Sequence, residues 1–194
     1  MAIQLNGFRG DLKWVHEREG HKGTAYWAAG DSGVTLDPGI DLGYADAALI
    51  EKCFKPLLTP QQYEAVKTVL GLKGEAARSA LTASPVLSTI QISKQQAEGL
   101  LDHAFGKYWD AIVTRFPNLV APDALAAAQT AMLSLAYNRG PNNKNLEVLA
   151  VPIQQKNWAE LANCIGAMQQ DHKLMGIRKR RTMEADLIRT GLAA

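Results

Sequence analysis

A chain of 194 residues is long enough for one domain, or one domain with a small added lobe, and can bury a core without a disulfide or metal staple. Its 21 basic and 19 acidic residues leave a net charge of +2, too balanced to argue for nucleic acid as a partner. Two cysteines, Cys53 and Cys164, give no disulfide framework and suit synthesis in a reducing cytoplasm; no apolar run approaches the ~18 residues of a membrane span.

Phe8, Leu12, Val15 and Glu19 fall at helical spacing, which predicts an amphipathic helix over 7–19 ended by Gly20. The stretch before it, Met1 to Arg9, lacks the charged and long apolar regions of a signal peptide. From 24 to 43 the pattern changes. Tyr26, Trp27, Val34, Thr35, Leu36 and Ile40 are strand formers, and Asp31-Ser32-Gly33 and Asp37-Pro38-Gly39 are turn signals, so a β-hairpin or a three-stranded sheet is expected.

Beyond Tyr44 the pattern is helical. A short helix over 47–55 has Asp46 as its cap. Thr59-Pro60-Gln61-Gln62 is a capping box with proline at the first helical position, and its helix is expected to reach about Gly71. Ser93-Lys94-Gln95-Gln96 is a second capping box, opening a helix that runs to Phe116 and ends at Pro117. Pro122 opens the most apolar segment, which is apolar nearly all round and should be a buried central helix ending at Asn138-Arg139-Gly140-Pro141. Helices near 144–154, 157–170 and 176–190 follow, whereas 72–92 carries no clear pattern. With no tandem repeat and no linker, the expected architecture is one α+β domain, 1–194, with a small β-lobe over about 20–45 and a larger helical lobe over 46–194.

Glu19 closes the first helix. Taken alone it reads as a solvated residue beside Glu17 and Arg18. A carboxylate at a helix C-terminus is disfavoured in its charged form by the helix dipole, which suits a general acid. Thr35 and Asp41 read singly as a β-branched strand residue and a helix cap. Their spacing says more. A three-residue loop at 37–39 would set Thr35 directly opposite Asp41 on one sheet face, whereas a two-residue loop would put them on opposite faces. A carboxyl at a helix end, facing a hydroxyl and a second carboxyl on a sheet, is what an inverting glycosidase needs: one acid protonates the leaving oxygen and the opposite side holds a water. Asp31 and Asp37 read first as turn residues, with either open as a substitute for Asp41.

Other chemistries find less support. His16 and His21 lie five apart, roughly 140° around a helix, with Gly20 breaking the helix between them, so no metal site is expected. No Gly-x-Ser-x-Gly nucleophile motif occurs, and neither cysteine sits in an electropositive motif. The run Arg178-Lys179-Arg180-Arg181 reads first as a solvated helix face, given Glu184 and Asp186 nearby. Its functional reading is a surface for an anionic polymer, with two or three of the four able to face one way and one pairing with Glu184 at i+3 or i+4.

Glu19-Gly20 with Tyr26 seven residues beyond the glutamate, then Gly33-Val34-Thr35 and Gly39-Ile40-Asp41-Leu42-Gly43, resembles phage-type lysozymes, and within them the pesticin-like muramidases and phage endolysins, which carry Glu, Thr and Asp in this chain order. Tyr137-Asn138-Arg139-Gly140 resembles that family's turn after its central helix, and the segments Gln154 to Ala162 and Gly176 to Gly191 resemble its C-terminal helices; residues 60–120 match weakly. The resemblance implies a two-lobed lysozyme-like α+β fold with a cleft between lobes. It implies hydrolysis of the N-acetylmuramic acid–N-acetylglucosamine β-1,4 bond of peptidoglycan, with Glu19, Thr35 and Asp41 catalytic. Tyr26, Asn138 and Arg139 would contact the glycan strand, with no cofactor or metal, and the protein would act as a monomer without a nucleic-acid partner. It also implies synthesis in a host bacterial cytoplasm and holin-type delivery to the periplasm and wall, for host lysis. Alternatives are a lytic transglycosylase, which uses a single Glu, and a non-catalytic peptidoglycan-binding module.

Overall fold

The computed structural model describes residues 5–194; residues 1–4, the start of the stretch read as lacking a signal peptide, lie outside the described residues. The described residues are mostly helical with one three-stranded antiparallel sheet, an α+β composition. It divides into two compact units: Glu19–Ala104, and the chain through Arg18 together with Phe105–Ala194.

The unit Glu19–Ala104 holds the sheet. Strands β1 (Tyr26–Trp27), β2 (Val34–Leu36) and β3 (Ile40–Asp41) lie in the order β1-β2-β3. Tyr26 pairs with Thr35 and Trp27 with Val34; Thr35 pairs with Asp41 and Leu36 with Ile40. The β2–β3 loop is therefore 37–39, the longer of the two possibilities, and it closes with Gly39 donating its N–H to Leu36 at 2.9 Å. Gly39 takes φ +105°, which glycine alone adopts freely.

Helices α2 (Ala47–Phe54), α3 (Pro60–Thr68), α4 (Gly74–Ala83), α5 (Pro85–Ser88) and α6 (Lys94–Glu98) complete this unit. The caps follow the sequence. Asp46 accepts from the Leu49 N–H at 2.7 Å, and the Thr59/Gln62 and Ser93/Gln96 boxes are both closed. The patternless stretch 72–92 forms α4 and α5, and α4 packs on β1 and β2. Loop amides tie the helices to the sheet region: Gly71 to Leu42 (3.0 Å), Gly74 to Ser32 (2.9 Å) and Ile92 to Gly23 (2.7 Å). Val34, Leu36, Leu42, Ile50, Phe54, Val66 and Leu87 are fully buried, so even this small sheet sits on a solid core.

Two helix boundaries differ from expectation here. The helix from Ser93 does not run unbroken to Phe116. Gly99 caps α6, and α7 (Leu101–Arg115) begins afresh, as a glycine in a helix interior costs about 1 kcal/mol against alanine. The helix from Thr59 stops at Thr68, where Val69 leaves helical geometry ahead of Gly71 at φ +77°.

In the other unit, α8 (Ala126–Arg139) is the buried central helix, with every residue from Ala128 to Ala136 buried. It starts four residues after Pro122 because Ala121 and Ala124 lend their carbonyls to the Arg9 guanidinium, each at 2.9 Å. Gly140, at φ +84°, ends it. The first helix is likewise shorter than expected: α1 is Leu12–Glu19. The Arg9 and Asp11 amides bond the side chains of Gln129 (2.6 Å) and Thr130 (2.8 Å) on α8 instead of entering a helical turn. The C-terminal part is α9 (Ala150–Gln154), α10 (Trp158–Ala167) and α11 (Met175–Ala193), with α11 packed on α8 and α10.

The basic run on α11 is not a solvated face. Arg180 is 8% exposed and Arg181 is fully buried, as is Glu184. Glu184 Oε1 accepts from Ser134 Oγ (2.6 Å) and from Arg180 Nε (3.4 Å), and Arg181 Nη1 lies 3.0 Å from Oε2. Both arginines thus pair with Glu184, at i+4 and i+3, where one was expected. Burial pushes the Glu184 carboxyl up, against the opposing pull of Arg181, Ser134 and Arg180. Of the four residues only Lys179 is exposed; Arg178 is half-buried and donates to the His172 carbonyl at 3.1 Å.

Candidate active site

The sheet register sets three sequence-predicted residues in one row. Directly opposed residues of antiparallel strands point to the same face. Tyr26 opposes Thr35, and Thr35 opposes Asp41, so phenol, hydroxyl and carboxylate line up across β1, β2 and β3. Val34 and Leu36 flank Thr35 on β2 and point to the opposite face, both fully buried.

Asp41 is held by backbone. Its Oδ1 accepts from the N–H groups of Gly33 (2.9 Å) and Gly43 (2.8 Å), while Oδ2 takes no hydrogen bond from the described residues. Asp41 is half-buried. One carboxylate oxygen is thus fixed and the other is available to a water. The two glycines are required by space: a Cβ on Gly33 would stand 2.5 Å from Asp41 Oδ1 and 2.6 Å from Gly43 Cα. The Gly33-x-Thr35 and Asp41-x-Gly43 spacing therefore has a steric reason. Thr35 is 5% exposed, and its Oγ1 reaches the Gly33 carbonyl only at 3.5 Å, the weak limit for a hydrogen bond.

Glu19 is the last residue of α1, half-buried, and Gly20 at φ +78° turns the chain away immediately after it. The Tyr26 phenol reports on the surrounding charge. Burial raises the pKa of the Tyr26 phenol above its ordinary value, and the carboxylates of Asp37, Glu19 and Asp41 add to that effect. Acidic groups from the helix end, the loop and β3 therefore act on one phenol.

Asp31 and Asp37 differ from each other. Asp31 is exposed, and its carbonyl and Oδ2 accept from the Tyr44 hydroxyl at 3.0 and 3.1 Å. Asp37 is only 2% exposed; its Oδ2 accepts the Gly23 N–H and lies 3.1 Å from His21 Nδ1. Imidazole and carboxylate are both metal-ligand types, so this pair could take part in holding a cation, which the sequence reading did not expect. Sequence reading missed this pair. Asp37 sits in a turn signal and His21 in a glycine-flanked loop, so no periodicity links them. It also missed Tyr44, which is 52% exposed with Lys73 Nζ 3.6 Å above its ring.

Asn138 and Arg139 belong to the other unit, at the C-terminus of α8. Asn138 Oδ1 accepts from Arg181 Nη2 at 2.8 Å. The residue lines a cavity of about 370 Å³ with Arg18, Lys179 and Arg180. Arg139 is not part of that lining; its guanidinium rests 3.7 Å from Met168 Sδ. Compared with known proteins, the chain matches no protein-family model and no curated protein sequence, so the reading of this site rests on its own geometry.

Proposed function

We propose that the protein is a lysozyme-like muramidase that hydrolyses the N-acetylmuramic acid–N-acetylglucosamine β-1,4 bond of peptidoglycan, in the manner of a phage endolysin. The observation that carries this reading is the row Tyr26–Thr35–Asp41 on one sheet face, with the Glu19 carboxylate acting on the same phenol. Glu19 is the general acid that protonates the leaving glycosidic oxygen. Asp41, fixed through Oδ1, presents Oδ2 to a water that Thr35 helps to hold, and the Asp41 carboxylate takes its proton as it attacks the anomeric carbon. Attack from the side opposite the leaving group inverts the configuration. Tyr26 stays protonated and donates to a sugar oxygen. Asn138 and Arg139 are the glycan contacts proposed in the other unit.

The substrate is the glycan strand of the wall, the reaction needs no cofactor, and the protein works as a monomer. Delivery from a host cytoplasm to the wall would fall to a holin-type partner. The two carboxyl roles separate this reading from a lytic transglycosylase, which needs only the acid and yields an anhydro product. Turbidity clearing of purified peptidoglycan tests it. Glu19→Gln should slow clearing by roughly 10²–10⁴-fold without loss of folding. Clearing at the wild-type rate by that variant would remove Glu19 from the mechanism, and an anhydro product in the released muropeptides would replace hydrolysis by transglycosylation. Wall binding without clearing by the wild type would make the protein a binding module.

A further inference from the structure

We infer that Asp37 is a positioning residue that clamps the segment behind Glu19 onto the β2–β3 loop; this rests on the reading of Glu19 as the general acid. Gly20 and Gly23 both take positive φ, +78° and +74°, so the link from the end of α1 to β1 has little stiffness of its own. One carboxylate oxygen holds it at two points: Asp37 Oδ2 accepts the Gly23 N–H and meets His21 Nδ1 at 3.1 Å.

An aspartate serving only its turn bonds backbone two residues on and faces water. Asp37 does neither. It is 2% exposed, and both of these contacts run back to the link between α1 and β1. Burying a carboxylate costs free energy unless its hydrogen bonds are met, and these contacts meet that need. The second anchor of the link is the Gly23 carbonyl, which accepts the Ile92 N–H at 2.7 Å. The loop that carries Asp37 also leads into Asp41. One buried group therefore ties the chain that follows the acid to the hairpin that presents the water-activating carboxylate. It is not itself the base, because at 2% exposed it does not meet water as the half-buried Asp41 can.

Three variants test this: Asp37→Ala, Asp37→Asn and His21→Ala, the last leaving the turn intact should Asp37→Ala fail to fold. Two readouts are needed. Amide exchange at Gly23 reports the clamp whatever the reaction is, and wall clearing reports kcat and KM. Asp37→Ala should speed Gly23 exchange by about tenfold or more with Val34 and Leu36 unchanged. Its kcat should fall by about 10²-fold with KM within about twofold, the signature of a misplaced acid rather than a lost substrate contact. Asp37→Asn, whose carbonyl oxygen still accepts from Gly23, should recover most of both, and His21→Ala should fall between. Unchanged Gly23 exchange in Asp37→Ala or His21→Ala overturns the clamp. Faster exchange with wild-type kcat overturns the positioning role, and a rise in KM alone makes Asp37 a substrate contact instead. If the wild type leaves walls intact, the muramidase reading fails by itself, and the exchange data still decide whether the clamp exists.

Discussion

Replacing Gly33 by alanine perturbs the site through space alone. Its φ lies outside the left-handed region, so the new methyl meets no backbone penalty. It would meet Asp41 Oδ1 at 2.5 Å and Gly43 Cα at 2.6 Å, and the Gly43 nitrogen closer still, where ordinary contact begins near 3.4 Å. The nearest obstacles are backbone atoms, which cannot swing aside as a side chain can. Relief requires the chain before β2 to part from the chain after β3, which breaks the Gly33 and Gly43 hydrogen bonds to Asp41. Overpacking alone costs about 1–3 kcal/mol. A hydrogen bond to a charged group contributes about 1.5–3 kcal/mol. With partial relaxation we expect a loss of about 2–5 kcal/mol, or roughly 4–20 °C in Tm at about 2–4 °C per kcal/mol for this chain length. Urea denaturation followed by Trp fluorescence measures it, and wall clearing should fall in parallel because Asp41 loses its anchor. Gly176→Ala is the control. That glycine, in the first turn of α11, has nothing within 4 Å of an added Cβ and no positive φ, so alanine should be neutral or stabilising by up to about 1 kcal/mol. A Gly33→Ala protein within about 0.5 kcal/mol of wild type, with unchanged clearing, would refute the steric account of the glycine–aspartate motif.

Glu184→Ala would leave Arg180 and Arg181 buried without their carboxylate and should cost about 3–5 kcal/mol by urea denaturation; a loss under about 1 kcal/mol would mean the triad is not a stability element. For the same reason Arg181→Ala should destabilise the fold rather than raise KM, unlike Lys179→Ala, which touches an exposed cation. Tyr26 holds its proton more tightly folded than unfolded, so its contribution to stability is whole below its ordinary value of 10.0 and is lost as pH rises through the folded value. Tyr26→Phe should therefore show a shallower alkaline loss of stability, and an unchanged slope would remove Tyr26 from that linkage. Burial pushes the Cys53 thiol up to about 11 and leaves it 1% exposed, so a disulfide reagent near neutral pH should label Cys164 first; equal rates at both thiols would contradict the packing around α2.

Local chemistry made much of this chain legible. Thr59 and Ser93, each with a Gln three residues on, closed the capping boxes their sequences announce, because a cap is a contact within one turn. The all-apolar segment became the buried α8, since no other face was open to it. The Asp37-Pro38-Gly39 loop fixed the Thr35–Asp41 register, because a strand has only two faces and loop length chooses between them.

Only tertiary structure decided the remainder. Where α1 and α8 begin depended on Arg9, Gln129 and Thr130, which are distant in sequence and bond the backbone that propensity alone would have coiled into helix. Four consecutive basic residues look solvated in any one-dimensional reading; Ser134 on α8 and Glu184 supply the partners that let Arg180 and Arg181 be buried. Asp37 and His21 carry no shared period, and their pairing exists because the hairpin folds back on the link behind Glu19. Periodicity and capping are short-range and can be read along the chain. A buried charge depends on which distant donors reach it, and only the folded backbone settles that.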